Sequence, residues 1–188
     1  DVKKYVLNVL DETYKAKHKC NLDFLEATGH GIKLAINSES DMIMTKNDYP
    51  DVYVCDNYGN LKFTFKRDAA QTPRYAFTSS NENDIMISSN RNKAVDIYTE
   101  GGNLKLVISL PVNHWVVGVA FHYISCKIVV LSFNELRDTF YLLCYTTKGE
   151  LETSTFFGEK PVGELRPNII SSQSGPIATV WAKRIVYM

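Results

Sequence analysis

The chain has 188 residues, 45% of them hydrophobic and 12% aromatic, which is enough for one domain with a packed core and too apolar for a disordered chain. Its 21 Lys and Arg balance 21 Asp and Glu, so net charge draws it to no anionic polymer, and a nucleic-acid site would have to come from local clustering. No apolar run approaches the roughly 18 residues that cross a bilayer, so no membrane association is expected.

The chain opens Asp1-Val2-Lys3-Lys4-Tyr5 without a signal-peptide pattern or an initiator Met, as a piece of a longer protein would. Lys4 to Leu10 (KYVLNVL) reads as a strand, and Asp11 to His18 is the one place where a short helix is admissible. From residue 32 a repeat takes over, and a repeat decides the fold. Asp41-Met42-Ile43-Met44 returns as Asp84-Ile85-Met86-Ile87 and again as Lys127-Ile128-Val129-Val130, 43 residues apart each time. Gly59-Asn60-Leu61-Lys62-Phe63 returns 43 residues on as Gly102-Asn103-Leu104-Lys105-Leu106. It returns 47 further on as Gly149-Glu150-Leu151-Glu152-Thr153, the extra residues falling in Ser132 to Asp138.

Each unit reads as four short strands rich in β-branched and aromatic residues, separated by Gly, Asn and Asp turns. In the second unit the strands are Arg74 to Ser79, Asp84 to Ser88, Ala94 to Thr99 and Leu104 to Leu110. A four-stranded unit of this length suits a propeller blade, because one small sheet buries its faces only by stacking on its neighbours. The expected fold is all-β, a β-propeller of four-stranded antiparallel blades at about 32–65, 74–110, 116–157 and 168–188. The last unit is incomplete: Asn168 to Gln173, Pro176 to Trp181 and Arg184 to Met188 supply three strands. Either Lys4 to Leu10 adds the fourth and closes a four-bladed ring, or the chain belongs to a larger, six-bladed one. The second is preferred. An open blade edge would also favour self-association.

Cys20, Cys55, Cys126 and Cys144 form no CxxC pair, so a zinc site is not expected and buried reduced thiols are. With no Asn-x-Ser/Thr acceptor present, a cytoplasmic setting is expected.

The stretch from Asp84-Ile85-Met86-Ile87 through Asn90-Arg91-Asn92-Lys93 to Ala94-Val95-Asp96-Ile97-Tyr98 resembles an NHL repeat, as does, more loosely, Asp51-Val52-Tyr53-Val54-Cys55-Asp56. The closing Trp-Asp pair of WD40 blades is absent. The resemblance to TRIM-NHL C-terminal domains implies a non-catalytic platform that recruits a protein or peptide, in a ubiquitin-ligase context, through the turns between second and third strands and the connections between blades. On those loops the candidate binding residues are Lys46, Tyr49, Lys66, Arg67, Arg74, Arg91, Lys93, Trp115, Phe133, Arg137, Arg166, Trp181, Lys183 and Arg184. Cations for phosphates and rings for base stacking are also what single-stranded RNA needs, which makes RNA the alternative ligand. The third reading is a metal-dependent propeller hydrolase or lyase. His18, His30, His114 and His122 follow no metal-ligand spacing, and no GxSxG, HExxH, P-loop or GxGxxG occurs, so no cofactor and no catalytic residue are expected.

Overall fold

Alternating apolar residues and Gly- or Asn-bearing turns give strands throughout the computed structural model, which describes residues 4–10, 13–26, 31–46, 49–67, 73–78, 82–89, 93–159, 168–170, 178–181 and 184–187. Among them no helix is long and apolar enough to cross a membrane. Strands β1 (Lys4–Leu10) and β2 (Ala16–Glu26) form a hairpin. Next come three four-stranded antiparallel sheets in meander order. The first holds β3 (Ile32–Ile36), β4 (Met42–Lys46), β5 (Asp51–Cys55) and β6 (Leu61–Lys66). The second holds β7 (Pro73–Thr78), β8 (Ile85–Ser89), β9 (Ala94–Tyr98) and β10 (Leu104–Ser109), and the third β11 (His114–His122), β12 (Lys127–Asn134), β13 (Thr139–Tyr145) and β14 (Leu151–Glu159). Strands β15 (Asn168–Ile170), β16 (Ala178–Trp181) and β17 (Arg184–Tyr187) make a three-stranded sheet.

The sheets stack in series, with the first strand of each beside the first strand of the next: β3 by β7, β7 by β11, β11 by β15. Among the described residues, an apolar cluster joins each neighbouring pair from the hairpin to the third sheet. Cys20, Leu22 and Leu25 of the hairpin meet Met42, Met44 and Cys55; Val52 and Val54 meet Ile85 and Ile87; Met86, Val95 and Ile108 meet Val119, Phe121 and Val130. At about 1.5–3 kcal/mol for each large side chain removed from water, these layers hold the sheets together.

The repeat fixes details as well as strands. Asp56, Thr99 and Thr146 open equivalent hairpin turns, and their carbonyls accept from the N–H of Gly59, Gly102 and Gly149 at 2.9–3.0 Å. Their side-chain oxygens also accept backbone N–H bonds, from Asn60, Asn103 and Glu150. An ion pair spans the third strand of each sheet: Lys62 Nζ lies 2.6 Å from Asp41, Lys105 Nζ 2.8 Å from Asp84, and in the third sheet the charges are exchanged, Lys127 pairing with Glu152. Such partly exposed pairs contribute about 1 kcal/mol or less.

Two expectations need correcting at the N-terminus. The turn at Thr13 and Tyr14 leads into β2 where a short helix was admissible, because Cys20, Leu22 and the half-buried Phe24 alternate with exposed Lys19, Asn21 and Asp23. Lys4–Leu10 does not pair with β17; it pairs with β2, from Lys4↔Glu26 to Leu10↔Ala16. A short hairpin costs little loop entropy to close. By the 43-residue step Cys20 and Leu22 stand where Phe63 and Phe65 stand in β6, so β2 is a fourth strand and β1 a third.

One pair of positions shows how the same interface is filled three ways. Phe24 packs on Tyr53, with ring centroids 5.5 Å apart. One unit later the equivalent residues are Arg67 and Asp96, an ion pair of 2.7 Å with side chains 0% and 6% exposed. One unit later still they are Leu110 and Leu143, both in the third interface's apolar cluster.

Candidate binding face

In a meander sheet, turns between second and third strands lie at one end, together with the connections between sheets. Three such loops converge at the boundary of the second and third sheets. The connection before β11 is tied to the β12–β13 turn by the Glu135 N–H, which donates to the Asn113 carbonyl at 3.1 Å. Asn134 closes that turn, its Oδ1 accepting from the N–H of Leu136 and of Arg137, both at 3.1 Å. Lys93, at φ 51°, ends the β8–β9 turn, and Asp138, at φ 56°, ends the β12–β13 turn.

Lys93, Trp115 and Glu135 form one cluster across these loops. Lys93 Nζ lies 4.7 Å from the Trp115 ring centroid and 3.2 Å from Glu135 Oε1. The indole Nε1–H donates to Glu135 Oε2 at 2.7 Å. Both bonds favour the ionised carboxylate and hold Glu135 below its ordinary range. Arg137 Nη1 donates to the Tyr141 hydroxyl at 3.4 Å, which lowers the phenol's pKa. Beside this cluster two aliphatic side chains stand in solvent, Val112 at 84% and Leu136 at 76% exposure. The face is thus largely charge-compensated, with an indole and two protruding aliphatic groups.

Buried beneath it, His114 organises the turn. Asn134 presents Nδ2 to His114 Nε2 at 3.0 Å, because its oxygen is already used by the turn. Nε2 is therefore the acceptor, the proton sits on Nδ1, and Nδ1–H donates to Ser132 Oγ at 2.9 Å. The Ser132 hydroxyl in turn donates a hydrogen bond to the Tyr141 carbonyl at 3.4 Å. Ser132 is fully buried, so this histidine and serine make a structural latch and not a nucleophile with its base. Burial first, and the Arg137 charge second, hold His114 below the ordinary imidazole value of 6.5. Protonation would set two donors against each other, since turning the Asn134 amide forfeits both turn bonds. The neutral form is favoured in the folded state, so its stabilisation is complete above about pH 6.5 and is lost as pH falls through that value toward the lower folded-state pKa. Denaturant midpoints of the wild type are expected to drop between pH 7.5 and 5, and His114→Gln is expected to flatten part of that drop. Equal slopes would show that the imidazole is not the group responsible.

Of the sequence-predicted face, Lys93, Trp115, Phe133 and Arg137 come together here, Phe133 with its ring 5.0 Å from that of Phe140. Lys66 is exposed at the end of β6. Lys46 and Arg67 do not belong on an open surface. Lys46 is buried, with its ammonium 4.3 Å from the Tyr49 ring centroid, and Arg67 turns inward to the carboxylate of Asp96. Arg74, Trp181 and Arg184 are placed by backbone alone, on β7, β16 and β17, while Arg91, Arg166 and Lys183 lie outside the described residues. Sequence reading places Glu135 on this loop but not among the candidate cations and rings, although it joins Lys93 to Trp115, and it leaves out Asn134. The signal for Asn134 was an Asn at the start of a polar turn, a position that caps its own loop.

The other described histidines are used locally: His18 Nε2 contacts the Asn57 carbonyl at 2.8 Å and His122 Nδ1 the Ser125 hydroxyl at 2.6 Å. Among the described residues one group of three possible metal ligands converges, Glu39, Asp41 and Glu100, at the opposite end of the sheets. Cys20 and Cys55 are buried, and burial first pushes the Cys55 thiol up to about 12. Against the expectation of buried thiols, Cys126 is exposed, because it lies in the β11–β12 turn, and Cys144 is half-buried.

No protein-family model matches the sequence, and no curated protein matches it. Solved structures do match the fold. The Swd1 β-propeller domain of Myceliophteria thermophila aligns with TM-score 0.64 and 10% identity, over 93% of this chain and 55% of that one. Virginiamycin B lyase from Staphylococcus aureus aligns with TM-score 0.59 and 15% identity, over 95% and 61%. Hydrazine synthase of Kuenenia stuttgartiensis aligns with TM-score 0.65 and 11% identity, over 90% and 47%. The chain is part of a β-propeller. It spans about half to three-fifths of the length of these structures, which include both a lyase and the Swd1 propeller domain, so the shared fold assigns no reaction.

Proposed function

We propose that the chain is a non-catalytic binding platform whose partner is a protein or peptide held on the Lys93–Trp115–Glu135 face. The observation that carries this reading is the convergence of three loops from two sheets on one rigid, charge-compensated cluster flanked by exposed Val112 and Leu136. An indole ringed by aliphatic and polar groups is the composition of a protein-binding hot spot. Single-stranded RNA is the competing ligand, and the engagement of Lys93 by Glu135 counts against it, since a phosphate would have to displace the carboxylate. The NHL-type and ubiquitin-ligase context rests on the resemblance of residues 84–98 and, more loosely, 51–56, and the cytoplasmic setting on the cysteine pattern and the lack of an Asn-x-Ser/Thr acceptor.

A random peptide library displayed against the full chain tests the reading. Selected peptides are expected to compete with one another and to lose about tenfold in affinity or more on Trp115→Ala, with no change on Ile124→Ala at the opposite end. Peptides indifferent to Trp115 would overturn the assignment of the face. A fluorescent single-stranded RNA that binds with a steep salt dependence lost in Lys93→Ala would replace the peptide by RNA.

A further inference from the structure

The opposite end of the sheets carries a second feature, independent of the Trp115 face. The turns between first and second strands and between third and fourth strands meet there. Between the second and third sheets they enclose a cavity of about 140 Å³ with an apolar floor of Met86, Ile97, Phe121 and Ile128. Its rim carries Glu82 and Asp84, with Thr147 and the exposed Cys126 also lining it. A cavity near 150 Å³ takes a group the size of benzene, whereas a single water occupies about 30 Å³ of the liquid.

The charge at the rim is not balanced. Lys105 is ion-paired to both Glu82 and Asp84, which leaves one carboxylate charge over. The repeat builds the same rim 43 residues earlier: Glu39 and Asp41 take the places of Glu82 and Asp84, Lys62 that of Lys105, and Glu100 that of Thr147. Successive sheet boundaries therefore present carboxylates in excess of ammonium groups, in register, along one end of the ring.

We propose that this cavity receives an arginine side chain from an extended segment of a partner protein, with the guanidinium at Glu82 and Asp84 and the alkyl stem on the apolar floor. A long aliphatic cation satisfies both parts of the site at once, since its stem prefers apolar surface while its head stays at the wet rim. A neutral apolar group would strip water from the carboxylates without replacing it, and an anion would be repelled. Arginine suits two neighbouring carboxylates better than lysine because its planar fork presents several N–H groups to both. The second rim at Glu39, Asp41 and Glu100 then gives a further basic side chain of the same segment a place to sit.

The test uses the full chain and a fluorescent Gly-Ser peptide carrying two arginines, with its citrulline counterpart, followed by anisotropy. The arginine peptide is expected to bind more tightly, and about tenfold of that affinity is expected to vanish with citrulline and with Glu82→Gln. Cys126→Phe changes no charge and closes the mouth, and it is expected to weaken binding comparably. Glu150→Gln removes one carboxylate from the same end that does not line the cavity and is expected to change affinity less than about twofold. Equal binding of the citrulline peptide would overturn the proposal. So would a loss with Glu150→Gln equal to that with Glu82→Gln, or no effect of Cys126→Phe, since either result would mean a diffuse negative surface and no seat. Trp115→Ala is expected to leave this binding intact, which separates it from the face proposed above.

Discussion

Replacing Arg67 with alanine is expected to cost about 3–5 kcal/mol, a large part of the stability of a domain this size. The guanidinium Nη2 lies 2.7 Å from Asp96 Oδ2, and neither side chain meets solvent to any useful extent. Removing one partner leaves the carboxylate buried in the layer between the first and second sheets, the one filled by Val52, Val54, Ile85 and Ile87, with its charge uncompensated. Asp96→Ala is expected to do comparable damage from the other side. The double variant Arg67→Leu/Asp96→Leu is expected to recover most of the loss, because Leu110 and Leu143 occupy the equivalent positions one boundary later. Urea unfolding of the wild type, Arg67→Leu, Asp96→Leu and the double variant completes a double-mutant cycle, in which a coupling energy of several kcal/mol is expected. A single variant that loses less than about 1 kcal/mol would mean the pair is wet, as surface pairs are.

That pair also marks what could be read from the sequence. Aligning the units puts Phe24, Arg67 and Leu110 at one position, and Tyr53, Asp96 and Leu143 at another. The two columns change together from aromatic to ionic to aliphatic, a correlation visible before any coordinates. Local context hides it, because Arg67 follows a strand in a run of charged residues, Lys66-Arg67-Asp68, where solvent exposure is the ordinary expectation. The strands themselves were legible, since Met42, Ile85 and Ile128 recur at 43-residue steps with turn residues at fixed offsets, and short apolar runs bounded by Gly, Asn and Asp need no tertiary context to read. Strand β2 was not. Its opening Lys15-Ala16-Lys17-His18-Lys19 has no apolar alternation, and only Cys20 and Leu22, buried against Met42 and Cys55, show which face is inside. The loop chemistry was legible by composition but not by pairing. Lys93 and Trp115 were named from loop position, whereas Glu135 became meaningful only when the third sheet brought it within 3.2 Å of Lys93.

The other large effect is expected at Gly102, where alanine should destabilise by about 2–5 kcal/mol. Two costs combine. The residue sits at φ +81°, a left-handed conformation that costs a residue with a Cβ about 1–2 kcal/mol. A Cβ there would also lie 2.7 Å from Cγ and Cδ1 of the Phe65 ring and 2.9 Å from the Phe65 Cβ, and overpacking of this kind adds about 1–3 kcal/mol. Gly149 has the same role one sheet on, at φ +84°, but its added Cβ would meet a Leu106 methyl at 3.1 Å. A methyl at the end of a leucine can swing aside, so Gly149→Ala is expected to cost mainly the backbone term. Thermal or urea midpoints should therefore fall further for Gly102→Ala than for Gly149→Ala. Phe65→Leu, made in the Gly102→Ala background, should return part of the difference by removing the ring from the contact. Equal losses at the two glycines would mean that the outer turns do not press on the preceding sheet, and that backbone conformation alone requires glycine there.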